Sequence, residues 1–332
     1  MSLSAKNACH IVLSGLKNCA GKRPLVLSFE LTDSCNANCL HCDKGGIVHE
    51  ENRLSPYAYA NIWRKFRSPV VQLSGGEPLL RNDIVDIAGA IKEPSGLPYL
   101  ILVTNGYLLN RDNYLELRNK GVNQFSVSLD FPDERHDAFR RLKGLFSHLN
   151  ETIPQLTGLG HNDIALNCCI TRENFKYIPD ILQKAKDWNA AVSFSAYSLL
   201  RTNDKNYSIT EEADLKLLYS HIRKLTNLRK ENPGAIRTPR RVLLETYKFF
   251  KEGSMSKCHA GERFLLVSPD GRFRPCAHHA RYYNTHKGLV DVFSKRNKCG
   301  SCYVSIRAFA DIPLKRLLWD YLVGALRGEW KL

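Results

Sequence analysis

The chain has 332 residues, enough for one large domain or a domain with a small appendage. With 43% hydrophobic and 24% charged residues it has globular composition, which excludes disordered, collagen-like and low-complexity classes. No apolar run nears the roughly 18 residues of a membrane-spanning helix. The formal charge of +15 is uneven: residues 1–199 hold 22 basic against 20 acidic side chains, and residues 200–332 hold 26 against 13. A basic field of that kind suits phosphate, nucleic acid or an anionic membrane surface, or is simply a solvated face.

The first 23 residues read as an amphipathic helix, with Cys9, Val12, Leu13 and Leu16 on one face and Lys6, His10, Ser14 and Lys17 on the other. Strand-like and helix-like segments then alternate to about residue 200. Strands are expected at Leu25–Thr32, Val70–Ser74, Tyr99–Thr104, Gln124–Asp130, Ile164–Thr171 and Val192–Leu199. Helices are expected near 55–67, 82–93, 110–119, 133–158 and 175–188, with Asn82 and Asn110 as N-caps. The strands read as apolar on both faces, as in a buried parallel sheet. Six βα repeats define an α/β fold, either doubly wound or barrel-like, whose function sits at the C-terminal strand ends. A polar linker at 201–208 leads to helices near 210–231 and 239–251, so that residues 201–254 form a helical connection. Residues 255–305 carry four cysteines, a Pro269-Asp270-Gly271 turn and short strands at Phe264–Ser268 and Arg272–Arg274. They read as a small metal-stapled subdomain. Residues 306–332 end the chain as a second amphipathic helix, with Leu314, Leu317, Leu318, Tyr321 and Leu322 on one face. Either terminal helix would pack on the core or lie on a membrane surface.

The eleven cysteines are odd in number and unevenly crowded, which suits a reduced compartment and metal binding better than a disulfide framework. Cys35, Cys39 and Cys42 follow the first strand in a C-x3-C-x2-C pattern. Three thiolates leave one metal position open, unlike a closed four-ligand zinc site, and the loop aims His41 elsewhere. A [4Fe–4S] cluster held by only three cysteines has one open iron. Cys9, Cys19, Cys168 and Cys169 read as packing residues, with Cys169 also able to reach a cavity.

The cysteine motif resembles the signature of radical S-adenosylmethionine (radical SAM) enzymes, with His41 where that family usually carries an aromatic residue. Gly75-Gly76-Glu77-Pro78, Thr104-Asn105-Gly106 and Ser126-Val127-Ser128-Leu129-Asp130 follow at successive strand ends, as in the family. Phe131 departs from the glycine many relatives place there. The resemblance spans residues 24–200 and implies a partial (β/α)6 TIM-like barrel. It implies a [4Fe–4S] cluster on Cys35, Cys39 and Cys42 and a pocket for S-adenosylmethionine made by Gly75, Gly76, Glu77, Pro78, Asn105, Ser128 and Asp130. In that pocket the glycines admit close backbone approach, Glu77 accepts from the ammonium, and Ser128 and Asp130 meet ribose hydroxyls.

Cys258, Cys276, Cys299 and Cys302 form a complete four-cysteine set, on chemistry alone a zinc site or an iron–sulfur cluster. The C-x12-G-x4-C stretch is similar to the opening of the SPASM extension of radical SAM enzymes, and four cysteines suit its shortened twitch form. That resemblance implies a second, auxiliary [4Fe–4S] cluster acting as an electron conduit. Tyr197, Arg201, His278, His279 and Cys169 are the candidates for substrate contact or catalysis, with Arg201 suited to a carboxylate or phosphate.

The expected activity is reductive cleavage of S-adenosylmethionine and hydrogen abstraction from an anionic small molecule or lipid. It would be fed by an external one-electron donor of the flavodoxin or ferredoxin type. The expected location is cytoplasmic, with peripheral contact to the inner membrane surface left open. A peptide maturase is the alternative within the family. A zinc-bound nucleic-acid-binding protein is the alternative outside it, disfavoured because it leaves Gly75–Pro78 and the three-cysteine motif unexplained.

Overall fold

A computed structural model describes residues 5–256 and 258–311, with side chains from Cys9 onward. The expected C-terminal face at Leu314–Leu322 lies outside the described residues. Six strands run parallel in chain order: β1 (Val26–Glu30), β2 (Val70–Ser74), β3 (Tyr99–Thr104), β4 (Val122–Ser128), β5 (Ile164–Ile170) and β6 (Ala191–Ala196). Two more extend the same sheet beyond β1. β7 (Phe264–Val267) pairs parallel to β1 and β8 (Phe273–Arg274) antiparallel to β7, giving the order β6-β5-β4-β3-β2-β1-β7-β8. The two short strands of the cysteine-rich segment thus continue the barrel sheet.

Period-two sequence sorts the strand residues onto two unlike faces. Outward, Phe29, Leu73, Leu102 and Phe125 stand side by side and are wholly buried. They meet α2 (Pro56–Phe66), α3 (Ile84–Ile91), α4 (Arg111–Asn119) and the helices that follow. Phe29 packs edge-on to Tyr59 at 5.1 Å, and Trp63 of α2 donates its indole N–H to Ser68 O at 2.9 Å. Inward, one row runs Ser28–Gln72–Ile101–Gln124 and another Ser128–Asn167–Ser193. These side chains line a cavity of about 2240 Å³. The expectation of strands apolar on both faces holds for β3, whose Tyr99, Ile101 and Val103 face the cavity, and fails for β2, β4 and β6. A lumen that stays open is not filled by packed side chains, which leaves room there for serine, asparagine and glutamine.

The helices also depart in detail. The stretch expected as one helix over 133–158 is two, α5 (Arg135–Arg140) and α6 (Leu145–Thr157), broken at Arg141 and Gly144, both at positive φ. A 3-10 turn at Phe175–Tyr177 precedes α7 (Ile178–Asp187). Asn110 caps α4 as expected, in a reciprocal capping box with Asn113. Asn82 caps nothing: Asp83 is the N-cap of α3, its carboxylate taken by Arg81 and making no capping bond. After α8 (Glu212–Glu231), residues 235–237 lie along the edge of β6, with Val192 N donating to Ala235 O and Arg237 N to Val192 O. α9 (Arg240–Glu252) follows. Leu218 and Ile222 of α8, Leu243 of α9 and Leu289, Tyr303 and Ala308 from the cysteine-rich end share one core with the barrel. They sit on a common scaffold.

At the N-terminus, α1 (Ala5–Ala20) docks through a face other than the one its apolar pattern suggests. His10 bonds Ser95 O, Ser14 donates to Arg67 O, and buried Asn18 donates to Pro24 O and Phe66 O. Cys9 and Leu13 are exposed, so Cys9 is not a packing residue. The polar side chains of α1 face loop carbonyls that need donors, which overrides the apolar stripe. No helix among the described residues is long and apolar enough to cross a membrane.

Trp63 is wholly buried between α2 and the sheet. Trp63→Ala should lower the free energy of unfolding in urea by about 3–5 kcal/mol. A loss below about 1 kcal/mol would show that the outer face does not carry the fold.

Candidate active site

The loop after β1 holds Cys35, Cys39 and Cys42, and neighbouring backbone grips it from two sides. On one side is the turn after β2. Gly76 N donates to Thr32 O at 2.7 Å and Glu77 N to Ser34 O at 2.8 Å. A Cβ on Gly75 would overlap Thr32 O, and one on Gly76 would overlap Ser34 O. Gly75 also has φ +138°, which side-chain-bearing residues rarely adopt. On the other side is the end of α5, where Asn38 N donates to Arg140 O and Leu40 N to Phe139 O. Cys35 N donates to Gly46 O, closing the loop on itself.

The three thiols gather in one pocket with Ala37; Cys39 and Cys42 raise the ionisation cost of Cys35, and Cys42 that of Cys39. Burial pushes the Cys35 thiol up to about 11. Burial likewise raises Cys39, with Arg140 opposing it. His41 stacks on Phe139 at 4.7 Å and 9° between planes. Its Nδ1 is buried without a hydrogen-bond partner, and burial holds the ring neutral, with a pKa of about 4. Phe131 packs edge-on against the same Phe139 at 5.3 Å, in an aromatic wall that backs His41.

Of the residues expected around S-adenosylmethionine, Gly75, Gly76, Glu77, Asn105 and Ser128 line the cavity together with the three cysteines. Their bonds revise several roles. The glycines make room for the cysteine loop itself. Glu77, buried, accepts from Leu79 N at 3.0 Å, Thr104 Oγ1 at 2.7 Å and Asn105 N at 2.8 Å, so it mainly ties the ends of β2 and β3 together. Asn105 is engaged with Asn36 and Tyr107 N. Pro78 opens a buried 3-10 turn and does not reach the cavity. Asp130 does not reach it either. Wholly buried, it accepts from Arg140 Nε at 2.7 Å and from Cys169 N at 2.9 Å. It is the counter-charge of Arg140, which holds its carboxyl below the usual carboxylate range against the opposing effect of burial.

The substrate candidates separate as well. His278 lines the cavity with both ring nitrogens buried and unpartnered. His279 points elsewhere, its ring against Phe293 at 4.6 Å and its Nδ1 accepting from Arg281 N. Cys169 lines the cavity, its thiol pushed up to about 12 by burial. Tyr197 lines it too, but its hydroxyl is bonded to Thr202 and Asp204 O. Arg201 is committed to the cysteine loop, pairing with Asp43 at 2.7 Å and donating to Cys42 Sγ at 3.3 Å. It is thus already occupied by a carboxylate of its own chain. Sequence reasoning missed Arg140, Ser126, Asn167, Ser193 and Ser195, all on the cavity wall.

The second cysteine set is also drawn together. Cys258 N donates to Cys299 O, Asn297 bridges Cys258 O and Cys299 N, and Arg307 Nη1 approaches Cys302 Sγ at 4.0 Å. The thiols lie within electrostatic reach of one another. Burial raises Cys258 to about 12 and Cys276 to about 11. Cys276 opens onto the same cavity as the first set. Among the described residues, no group of three His, Cys, Asp or Glu side chains is arranged to hold a single metal ion.

Asp130→Asn would leave the buried Arg140 charge uncompensated and should cost about 3–5 kcal/mol of unfolding free energy in urea. A ribose ligand at this position would instead change stability by no more than about 0.5 kcal/mol.

Residues 29–185 match the model of the radical SAM superfamily. The chain is 29% identical to an AdoMet-dependent heme synthase of Methanosarcina barkeri over 280 residues, 77% of each protein. It is 28% identical to a probable GTP 3′,8-cyclase of Methanothermobacter marburgensis over 269 residues, 77% of this chain and 85% of that one. Among solved structures, the fold is similar to Streptococcus suis SuiB, solved with its precursor peptide SuiA. That likeness has a TM-score of 0.62 at 17% identity, covering 87% of this chain and 68% of that one. The motif-bearing loops at successive strand ends and these matches agree: residues 29–185 carry a radical SAM domain, and the chain is similar to enzymes of that superfamily.

Proposed function

We propose that Cys35, Cys39 and Cys42 hold a [4Fe–4S] cluster at the mouth of the lumen, and that the enzyme acts on a small anionic substrate bound further along it. The observation that carries this reading is the single cavity onto which the three thiols, the Gly75–Glu77 turn, Ser128, Cys276 and His278 all open. The donor set suits the group: three gathered thiols, a buried unpartnered nitrogen on His41 beside them, and a polar wall for a nucleoside. When bound, S-adenosylmethionine and one electron from a flavodoxin- or ferredoxin-type donor supply a 5′-deoxyadenosyl radical able to take hydrogen from an unactivated C–H.

The chain's own residues do the rest. The Gly75–Glu77 turn and the end of α5 hold the cysteine loop still. Ser126, Ser128, Asn167, Ser193 and Ser195 offer hydroxyl and amide groups to the nucleoside and substrate. His278 presents an unpartnered nitrogen to the substrate end. Cys258, Cys276, Cys299 and Cys302 would hold an auxiliary [4Fe–4S] cluster, in a twitch-like arrangement, and so supply an acceptor for the electron lost by a substrate radical.

Relatives named for haem and for GTP support a small anionic substrate. A lipid is less favoured, because from Cys9 onward α1 turns only Cys9, Leu13 and Ala20 outward among its apolar residues. The likeness to SuiB extends to the fold alone, so a peptide substrate gains nothing from it.

Anaerobically reconstituted protein should carry about eight iron atoms per chain, as two four-iron clusters imply. Cys35→Ala, Cys39→Ala or Cys42→Ala should abolish 5′-deoxyadenosine formation, measured by chromatography. Cys299→Ala with Cys302→Ala should remove about half the iron while leaving some cofactor cleavage. Persistence of 5′-deoxyadenosine in the first group would refute the cluster assignment. Unchanged iron in the double variant would refute the auxiliary cluster.

A further inference from the structure

Two guanidinium groups reach the sulfurs of the three-cysteine loop from opposite parts of the fold. Arg140, at the end of α5, places Nη1 3.7 Å from Cys39 Sγ. Arg201, in the loop after β6, places Nη2 3.3 Å from Cys42 Sγ. Each is fixed by its own carboxylate. Asp130 takes Arg140 through Nε at 2.7 Å and Nη2 at 2.6 Å, and Asp43 takes Arg201 through Nε at 2.7 Å. Arg140 is buried and its backbone carbonyl also grips the cysteine loop, through Asn38 N. Among the described residues, Cys35 has no such donor: its nearest charged influences are Glu77 and the other two thiols.

Burying one guanidinium and largely covering a second is costly, and Coulombic pairing with the carboxylates does not by itself require that they touch sulfur. A planar guanidinium can serve a carboxylate through one edge and a second acceptor through its remaining N–H groups, which an ammonium cannot do with fixed geometry. Hydrogen bonds and positive charge at cluster thiolates stabilise the reduced cluster, which carries one more negative charge, and so raise its potential.

We propose that Arg140 and Arg201 are a pair of positioning residues that donate to the Cys39 and Cys42 thiolates and raise the reduction potential of the cluster those thiolates hold. Asp130 and Asp43 aim them. This rests on the reading that Cys35, Cys39 and Cys42 hold a cluster. Arg201, which by sequence suits a substrate carboxylate, serves the cluster instead, and the asymmetry leaves the Cys35 side without a cationic donor.

The test is a potentiometric titration of the full-length holoenzyme followed by electron paramagnetic resonance, with iron counted per chain. In Arg201→Gln one reduction wave should move to more negative potential while the iron content equals that of the parent. In Arg201→Lys the wave should lie between the two. Arg201 stands at the edge of the site, with Asp43 half-exposed, so these variants should fold. Arg140→Gln combined with Asp130→Asn removes the buried pair as a unit and should shift the same wave in the same direction. Waves that stay in place in all three variants, with iron unchanged, would overturn the proposal. A parent chain that binds no iron through Cys35, Cys39 and Cys42 would instead overturn the reading beneath it.

Discussion

The site depends on two backbone segments lying closer together than side chains would allow. The turn after β2 meets the cysteine loop through Gly76 N to Thr32 O and Glu77 N to Ser34 O, and Cβ atoms on Gly75 and Gly76 would stand where those carbonyls are. Remove that contact and the loop loses one of the two grips that gather its thiols. The other grip comes from the carbonyls of Phe139 and Arg140 at the end of α5. Glu77 then locks the turn to β3, so three strand ends form one rigid platform.

Around that platform the sheet divides its labour by face. The outer face is wholly apolar and closes against the helices, which is where burial stabilises the fold. The inner face mixes serine, asparagine and glutamine with apolar residues such as Val26, Tyr99, Ile101 and Leu266, and offers hydrogen-bonding groups the outer face lacks. Around the cysteine loop the buried charges are paired. Asp130 pairs with Arg140, Asp43 with Arg201, and Glu30 with both Lys44 and Arg274 at 3.2 and 3.3 Å. The cysteine-rich segment is anchored through β7 on β1 and through that Arg274–Glu30 pair, which brings Cys276 to the lumen.

Much of this was legible in the residues. The spans of β2 and β3 follow from their apolar runs, and the cap at Asn110 from its spacing to Asn113. The family follows from the cysteine spacing together with Gly75–Pro78. The polar lumen was also written there: Gln72 and Ser74, Gln124, Ser126 and Ser128, and Ser193 and Ser195 alternate with apolar neighbours. That period conflicts with strands buried on both faces. The break between α5 and α6 was harder, because Arg141 adopts a left-handed backbone that nothing in its identity announces. The partnership of Asp130 with Arg140 was not legible at all. Asp130 sits where the family motif implies a ribose contact, and only the fold shows Arg140 coming back to claim it. Arg201 and Asp43 are more than 150 residues apart in the chain and meet only in space.

The proposed cluster on the gathered thiols would leave one corner open to S-adenosylmethionine at the lumen mouth. Its most direct test is the electron paramagnetic resonance spectrum of the reduced, oxygen-free holoprotein with and without added S-adenosylmethionine. Addition of the nucleotide should alter the g-values of one cluster signal, and Cys42→Ala should lose that response. A spectrum indifferent to the nucleotide in the iron-loaded parent would contradict it.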